Sequence, residues 1–175
     1  MKKDIGIWQF SGIVIVFALG TLFHFLYDWT GFKFLAFFSS VNESTFEHMK
    51  ILFFPMLIFS IIQSFYFKKD YDNFWTIKLE GTIIGLLLVP VLFYTLSGAF
   101  GTLKGFINVL IFFISIVVAF VFEAKAFKQN SAILKRELVS KILFIVLAVL
   151  FILFTFYPPR IPLFLDPIYK TYGIV

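Results

Sequence analysis

The stretch IWQFSGIVIVFALGTLFHFLY, Ile7 to Tyr27, decides what kind of protein this is. Its 21 residues include no Asp, Glu, Lys or Arg. A helix needs roughly 20 mainly apolar residues to cross the hydrocarbon core of a bilayer. The preceding MKKD gives the segment a superficial likeness to a signal peptide. A signal-peptide core, however, is only about 7–15 residues long and is followed by a small-residue cleavage site. Neither holds here, so the stretch reads as a retained transmembrane helix.

Four further apolar runs follow, at about Thr45 to Tyr66, Phe74 to Leu96, Gly105 to Phe122 and Val139 to Tyr157. Between the first two spans, TGFKFLAFFSS (30–40) is too short to cross and reads as an interfacial or re-entrant segment. Composition agrees, with 61% of the 175 residues hydrophobic and 14% charged. Soluble domains run at about 45–50% apolar and about 25% charged. Mean hydropathy is +0.97. The expected fold is an all-α polytopic transmembrane helix bundle of about five spans, forming a single domain over 1–175.

The net charge of +5 and a pI of about 9.4 do not indicate nucleic acid, because the basic residues sit mostly in short segments between spans. There they set topology. With the N-terminus inside, Lys2, Lys3, Lys68, Lys69, Lys78, Lys125, Lys128, Lys135, Arg136 and Lys141 are cytoplasmic. Lys33, Lys50, Lys104, Arg160 and Lys170 are outside. The bias predicts an N-in, C-out topology, and the expected location is the cell membrane, as a multi-pass protein of the bacterial cytoplasmic membrane. Ala124 to Glu137 is then the longest cytoplasmic loop. Absence of cysteine excludes disulfides and thiolate ligands.

This topology gathers scarce polar residues at the outer face. His24 and Asp28, spaced i, i+4, share a face at the end of span one. SVNESTFEHMK (40–50) opens span two, with Glu43, Ser44, Glu47, His48 and Lys50 on one arc of the helix. Charged groups in spans usually face the bundle interior or a wet cavity, so this arc should meet His24 and Asp28. STFE (44–47) also fits a capping box, and Glu47 and Lys50 are spaced for an i, i+3 ion pair. These structural roles leave His24, His48 and Asp28 unexplained.

Two imidazoles with nearby carboxylates suit a divalent metal such as Zn, leaving a position for water. His24, Asp28, Glu47 and His48 are the candidate ligands. Glu43, Glu47, His48 and Lys50 are the candidate catalytic residues, with acid/base work or substrate polarisation as their roles. A membrane-embedded hydrolase is one reading. The alternative is a non-enzymatic lipid or ion binder, transporter or accessory subunit of a membrane complex. Expected partners are membrane lipids, with a homo-oligomer or membrane partner for the second reading and no nucleic acid. The tail YPPRIPLFLDPIYKTYG (157–173) should fold back over the outer face and bring Arg160 or Asp166 to the site. Glu80 is read as structural, pairing with Lys78 or a neighbouring helix, and Glu123 as solvated at the inner boundary.

VNESTFEHMK together with PPRIPLFLDPIYKTYG resembles a family of small bacterial multi-pass membrane proteins. Its members carry an N-E-S-x-x-E-H-x-K signature and a proline-rich end containing D-P. The resemblance covers most of the chain. It implies that Asn42, Glu43, Ser44, Glu47, His48 and Lys50 match a family motif. It implies no substrate, since the family has no established activity.

Overall fold

The computed structural model describes residues 4–133 and 136–174. Lys2, Lys3 and Lys135 of the topology argument lie outside them. Among the described residues there are five long helices: α1 (Ile5–Thr30), α2 (Thr45–Phe67), α3 (Phe74–Phe100), α4 (Gly105–Gln129) and α5 (Glu137–Phe156). All five are long and apolar enough to cross a membrane. Short 3-10 turns occupy Lys33–Phe37 and Pro162–Phe164, and no strand forms among the described residues. The fold is the expected all-helical bundle.

The helix ends follow local chemistry. The Asp4 carboxylate caps α1 by accepting from the Gly6 N–H, and Gly31 closes it in the left-handed conformation at φ 61°. Asn130 closes α4 in the same way. Pro158 and Pro159 follow the end of α5, where no further helical amide is needed. No Asn73 side chain caps α3. The Glu137 carboxylate at the start of α5 accepts from the Trp75 and Thr76 amides instead, at 2.9 and 3.2 Å.

Several helices outrun their apolar windows. α3 continues past Leu96 to Phe100, and α4 runs past Phe122 to Gln129. Hydropathy marks where hydrocarbon ends, whereas the backbone hydrogen bonds of a helix continue into the polar layer. The expected Ala124 to Glu137 loop therefore begins only after Gln129.

α2 is the central helix. Of its apolar window 61% is buried, against 17–33% for the others. α1 packs on α2 and α4, α3 on α2 and α4, and α5 on α3 and α2. α1 makes its contact through Gln9, Gly12, Val16 and Gly20, one buried stripe at helical spacing. A Cβ on Gly12 would lie 2.3 Å from the Phe120 ring, and one on Gly20 would lie 2.4 Å from the Phe112 ring. Lipid offers no hydrophobic drive between helices, so close packing at small residues has to supply the attraction. Gly12→Leu is expected to push α1 off α4 and lower stability by about 1–3 kcal/mol. Thermal unfolding in detergent measures this, and an unchanged midpoint would refute the packing argument.

Candidate functional site

The polar arc of α2 does not meet one neighbour. α2 is flanked on both sides, and its arc is too wide for a single contact. One part faces α1 and α4, and the other faces α5 and the Lys33–Phe37 turn.

The first part unites His24, Glu43 and His48. Their candidate ligand atoms lie within 4.8 Å of one another. Glu43 spans the two imidazoles, with Oε1 3.7 Å from His24 Nε2 and Oε2 3.7 Å from His48 Nε2. The rings stand edge to face with centroids 5.2 Å apart. These separations exceed hydrogen-bond length, so the three groups converge without bonding one another. His48 Nδ1 lies 2.9 Å from the Ser44 carbonyl oxygen. A carbonyl only accepts, so Nδ1 carries a proton and donates it to Ser44, and Nε2 faces Glu43.

The second part is a closed ion pair. Lys50 is wholly buried, and its ammonium donates to Glu47 Oε2 at 2.6 Å, the Ala36 carbonyl at 2.9 Å and Thr155 Oγ1 at 2.8 Å. Three donors thus meet three acceptors. Glu47 Oε2 also accepts from the Val41 amide at 3.1 Å, and Thr155 donates to Glu47 Oε1 at 3.0 Å. Half of the expected capping box forms: Ser44 Oγ accepts from the Glu47 amide, while Glu47 reaches back to Val41 instead of the Ser44 amide.

Of the sequence candidates for metal, His24 and His48 are therefore joined by Glu43. Glu47 is spent on Lys50. Asp28 stands apart, on the wall of an adjoining cleft with Asn42, Glu43 and Asp166. Of the four catalytic candidates, Glu43 and His48 sit at the cluster, and Glu47 and Lys50 sit behind it. The arc that sequence assigned to one face is divided because its residues turn toward different helices.

The tail does fold over this end. Asp166 Oδ2 accepts from the Glu43 amide at 3.1 Å, and Asn42 donates to the Gly173 carbonyl at 2.9 Å. Leu165 and Tyr172 form an isolated bridge that closes the loop. Arg160 is exposed and does not take part. A cavity of about 250 Å³ lies beside the cluster, lined by Phe17, Gly20, Phe25, Asn108 and Phe112 among others.

Toward the opposite end, Glu123 is not solvated. It is fully buried and ion-paired with Lys78, whose ammonium also lies over the Phe59 and Phe120 rings. The reason is Gly81: its missing side chain makes room for Glu123, whose Cγ would lie 2.4 Å from a Cβ there. Glu80 accepts from the Ile133 amide at 2.7 Å instead of pairing with Lys78. Sequence inspection also missed Thr155. No local signal marks a threonine that completes an ion pair more than a hundred residues away. Lys50 and Lys78 are buried partners, not loop charges. One leaves each side of the topology count, so the bias keeps its sign.

Five apolar helices with a titratable cluster at one end define a multi-pass integral membrane protein. The chain belongs to a family of unknown function, DUF6512, whose model matches residues 1–174. As the resemblance implied, that family has no assigned activity. No curated protein and no solved structure matches the chain.

Proposed function

We propose that the protein is a membrane-embedded hydrolase that uses a divalent metal held by His24, Glu43 and His48. The carrying observation is the convergence of two imidazoles and one carboxylate at distances too long for mutual hydrogen bonds. Ligands of a tetrahedral zinc at 2.0–2.1 Å lie about 3.4 Å apart. Each imidazole lies 3.7 Å from a different Glu43 oxygen, and with one donor atom per residue the three lie within 4.8 Å of one another, so the donors would have to draw together by up to about 1.4 Å to hold the ion. The Ser44 carbonyl fixes the His48 tautomer in the way that second-sphere partners of metal ligands do. Three protein donors are the number found in zinc sites that keep a position open for chemistry.

A bound divalent ion would supply Lewis-acid polarisation and a water of lowered pKa. The chain's own residues do the rest. Glu43 places its carboxylate between the two imidazoles and is itself held by the Asp166 contact to its amide. Glu47 and Lys50 tie down Val41 and Ala36, and so the segment that carries Glu43. Asp28 provides the carboxylate outside the donor set. On the positive-inside count, the site belongs to the extracytoplasmic face of a cell membrane, with the N-terminus inside.

Equilibrium dialysis of the purified chain against zinc tests this. About one equivalent per chain should be retained, lost to chelator and restored on readdition. Retention no higher than that of a His24→Ala, His48→Ala double variant would overturn the metal reading. Stoichiometric metal without turnover of any bilayer ester or amide would instead favour the alternative of a binder or accessory subunit.

A further inference from the structure

Resting on that site reading, we propose that its ligand is a single-chain amphiphile whose head donates hydrogen bonds and carries no negative charge. Its chain lies between α1 and α4. The cleft has two halves that meet on Glu43. The apolar half is walled by Phe17, Phe25, Val109 and Phe112. Phe25 and Val109 are also among the exposed large side chains, at 41% and 54%, so this half opens on the outer surface of the helices. In a bilayer that surface meets hydrocarbon. The polar half, about 620 Å³, is walled by Asp28, Asn42, Asp166 and Tyr169. One pocket wall therefore suits an acyl or alkyl chain and the other a polar head, with the candidate metal cluster at the junction.

A chain moving from lipid into this groove gains little hydrophobic free energy, because lipid is as apolar as the groove. Discrimination must come from the head. The Asn108 Oδ1 and Thr171 Oγ1 atoms are buried without a hydrogen-bond partner among the described residues, the first beside Glu43 and His48 at the junction and the second in the polar half. Buried polar atoms are nearly always paired. An amide oxygen only accepts, so Asn108 calls for a ligand N–H or O–H. No Lys or Arg lines either half among the described residues, whereas Asp28, Glu43 and Asp166 do. In the polar half, away from the metal cluster, a phosphate or carboxylate head would face Asp28 and Asp166 with no guanidinium to offset them. An amine or hydroxyl head matches both the acceptors and the charge.

The test is equilibrium binding of radiolabelled dodecylamine, dodecanol and dodecanoate to the full chain in nanodiscs of phosphatidylcholine. Dodecylamine and dodecanol should bind at least roughly tenfold more tightly than dodecanoate. Thr21→Trp, an exposed position on the apolar half, should fill the groove and weaken all three. Asn108→Leu should weaken the amine and alcohol by roughly tenfold and leave dodecanoate unchanged. Equal binding of dodecanoate, or a Thr21→Trp variant with unchanged binding, would overturn the proposal. Zinc retention measured on the same samples separates the two readings. Zinc without chain selectivity removes this inference alone, and chain selectivity without zinc removes the metal alone while supporting the amphiphile.

Discussion

His48→Ala protein is expected to bind zinc at least about 100-fold more weakly than wild type, with unchanged helical content. Loss of an outer-sphere partner alone typically costs about 10–100-fold in metal affinity, so loss of a donor should reach or exceed the top of that range. The fold should survive because His48 keeps 14% of its side chain accessible and lines the cavity. Glu47→Gln supplies the contrast. It disturbs the buried Lys50 pair and should lower the unfolding midpoint, with a smaller change in zinc affinity. Isothermal titration and thermal unfolding on the same preparations distinguish the two. Equal loss of zinc from both variants would mean that Glu47, as sequence first suggested, belongs to the donor set after all.

The largest stability effect should come from the other end of the bundle. Glu123→Ala or Lys78→Ala leaves a fully buried partner charge without its counterpart. Removing one member of such a pair costs about 3–5 kcal/mol, whereas replacing both by apolar side chains of similar volume is often neutral. Lys78→Met with Glu123→Leu should therefore recover most of the stability lost in either single variant. The Phe59 and Phe120 rings beside Lys78 already provide apolar surroundings for a methionine. A double-mutant cycle on unfolding free energy measures the coupling. Additive losses in the double variant would show that the two residues act independently and that the pair does not tie α3 to α4.

Much of the architecture was legible in the chain because lipid imposes a one-dimensional rule. Each backbone amide must be satisfied within its own helix, so a long uncharged run such as Ile7 to Tyr27 declares a span without reference to its neighbours. The short TGFKFLAFFSS segment was equally readable from length and forms the Lys33–Phe37 turn. The fold-back of the tail followed from prolines that forbid a helix and apolar residues that resist water.

The site was only partly legible. The i, i+4 spacing of His24 and Asp28 shows that they share a helix face, but not which of them a second helix will reach. Glu43 was placed on one helical arc with Glu47, His48 and Lys50, yet it lies before the first residue of α2, and that position is what sets it between two imidazoles. Glu123 was read as solvated because it lies in the span's polar end. Gly81, on another helix, opens the space that buries it beside Lys78.

Hydropathy and helical periodicity act along the chain, so spans, turns and the clustering of titratable residues at one end were determined by the sequence by itself. Which carboxylate joins which base depends on the rotation and neighbours of each helix. Those are set by packing at Gly12 and Gly20 against rings from α4 and by the central placement of α2. Glu47 goes to Lys50, and Glu43 to the histidines, only once the helices are packed together. Contacts between helices are made by residues far apart in sequence, whose distances no local pattern encodes.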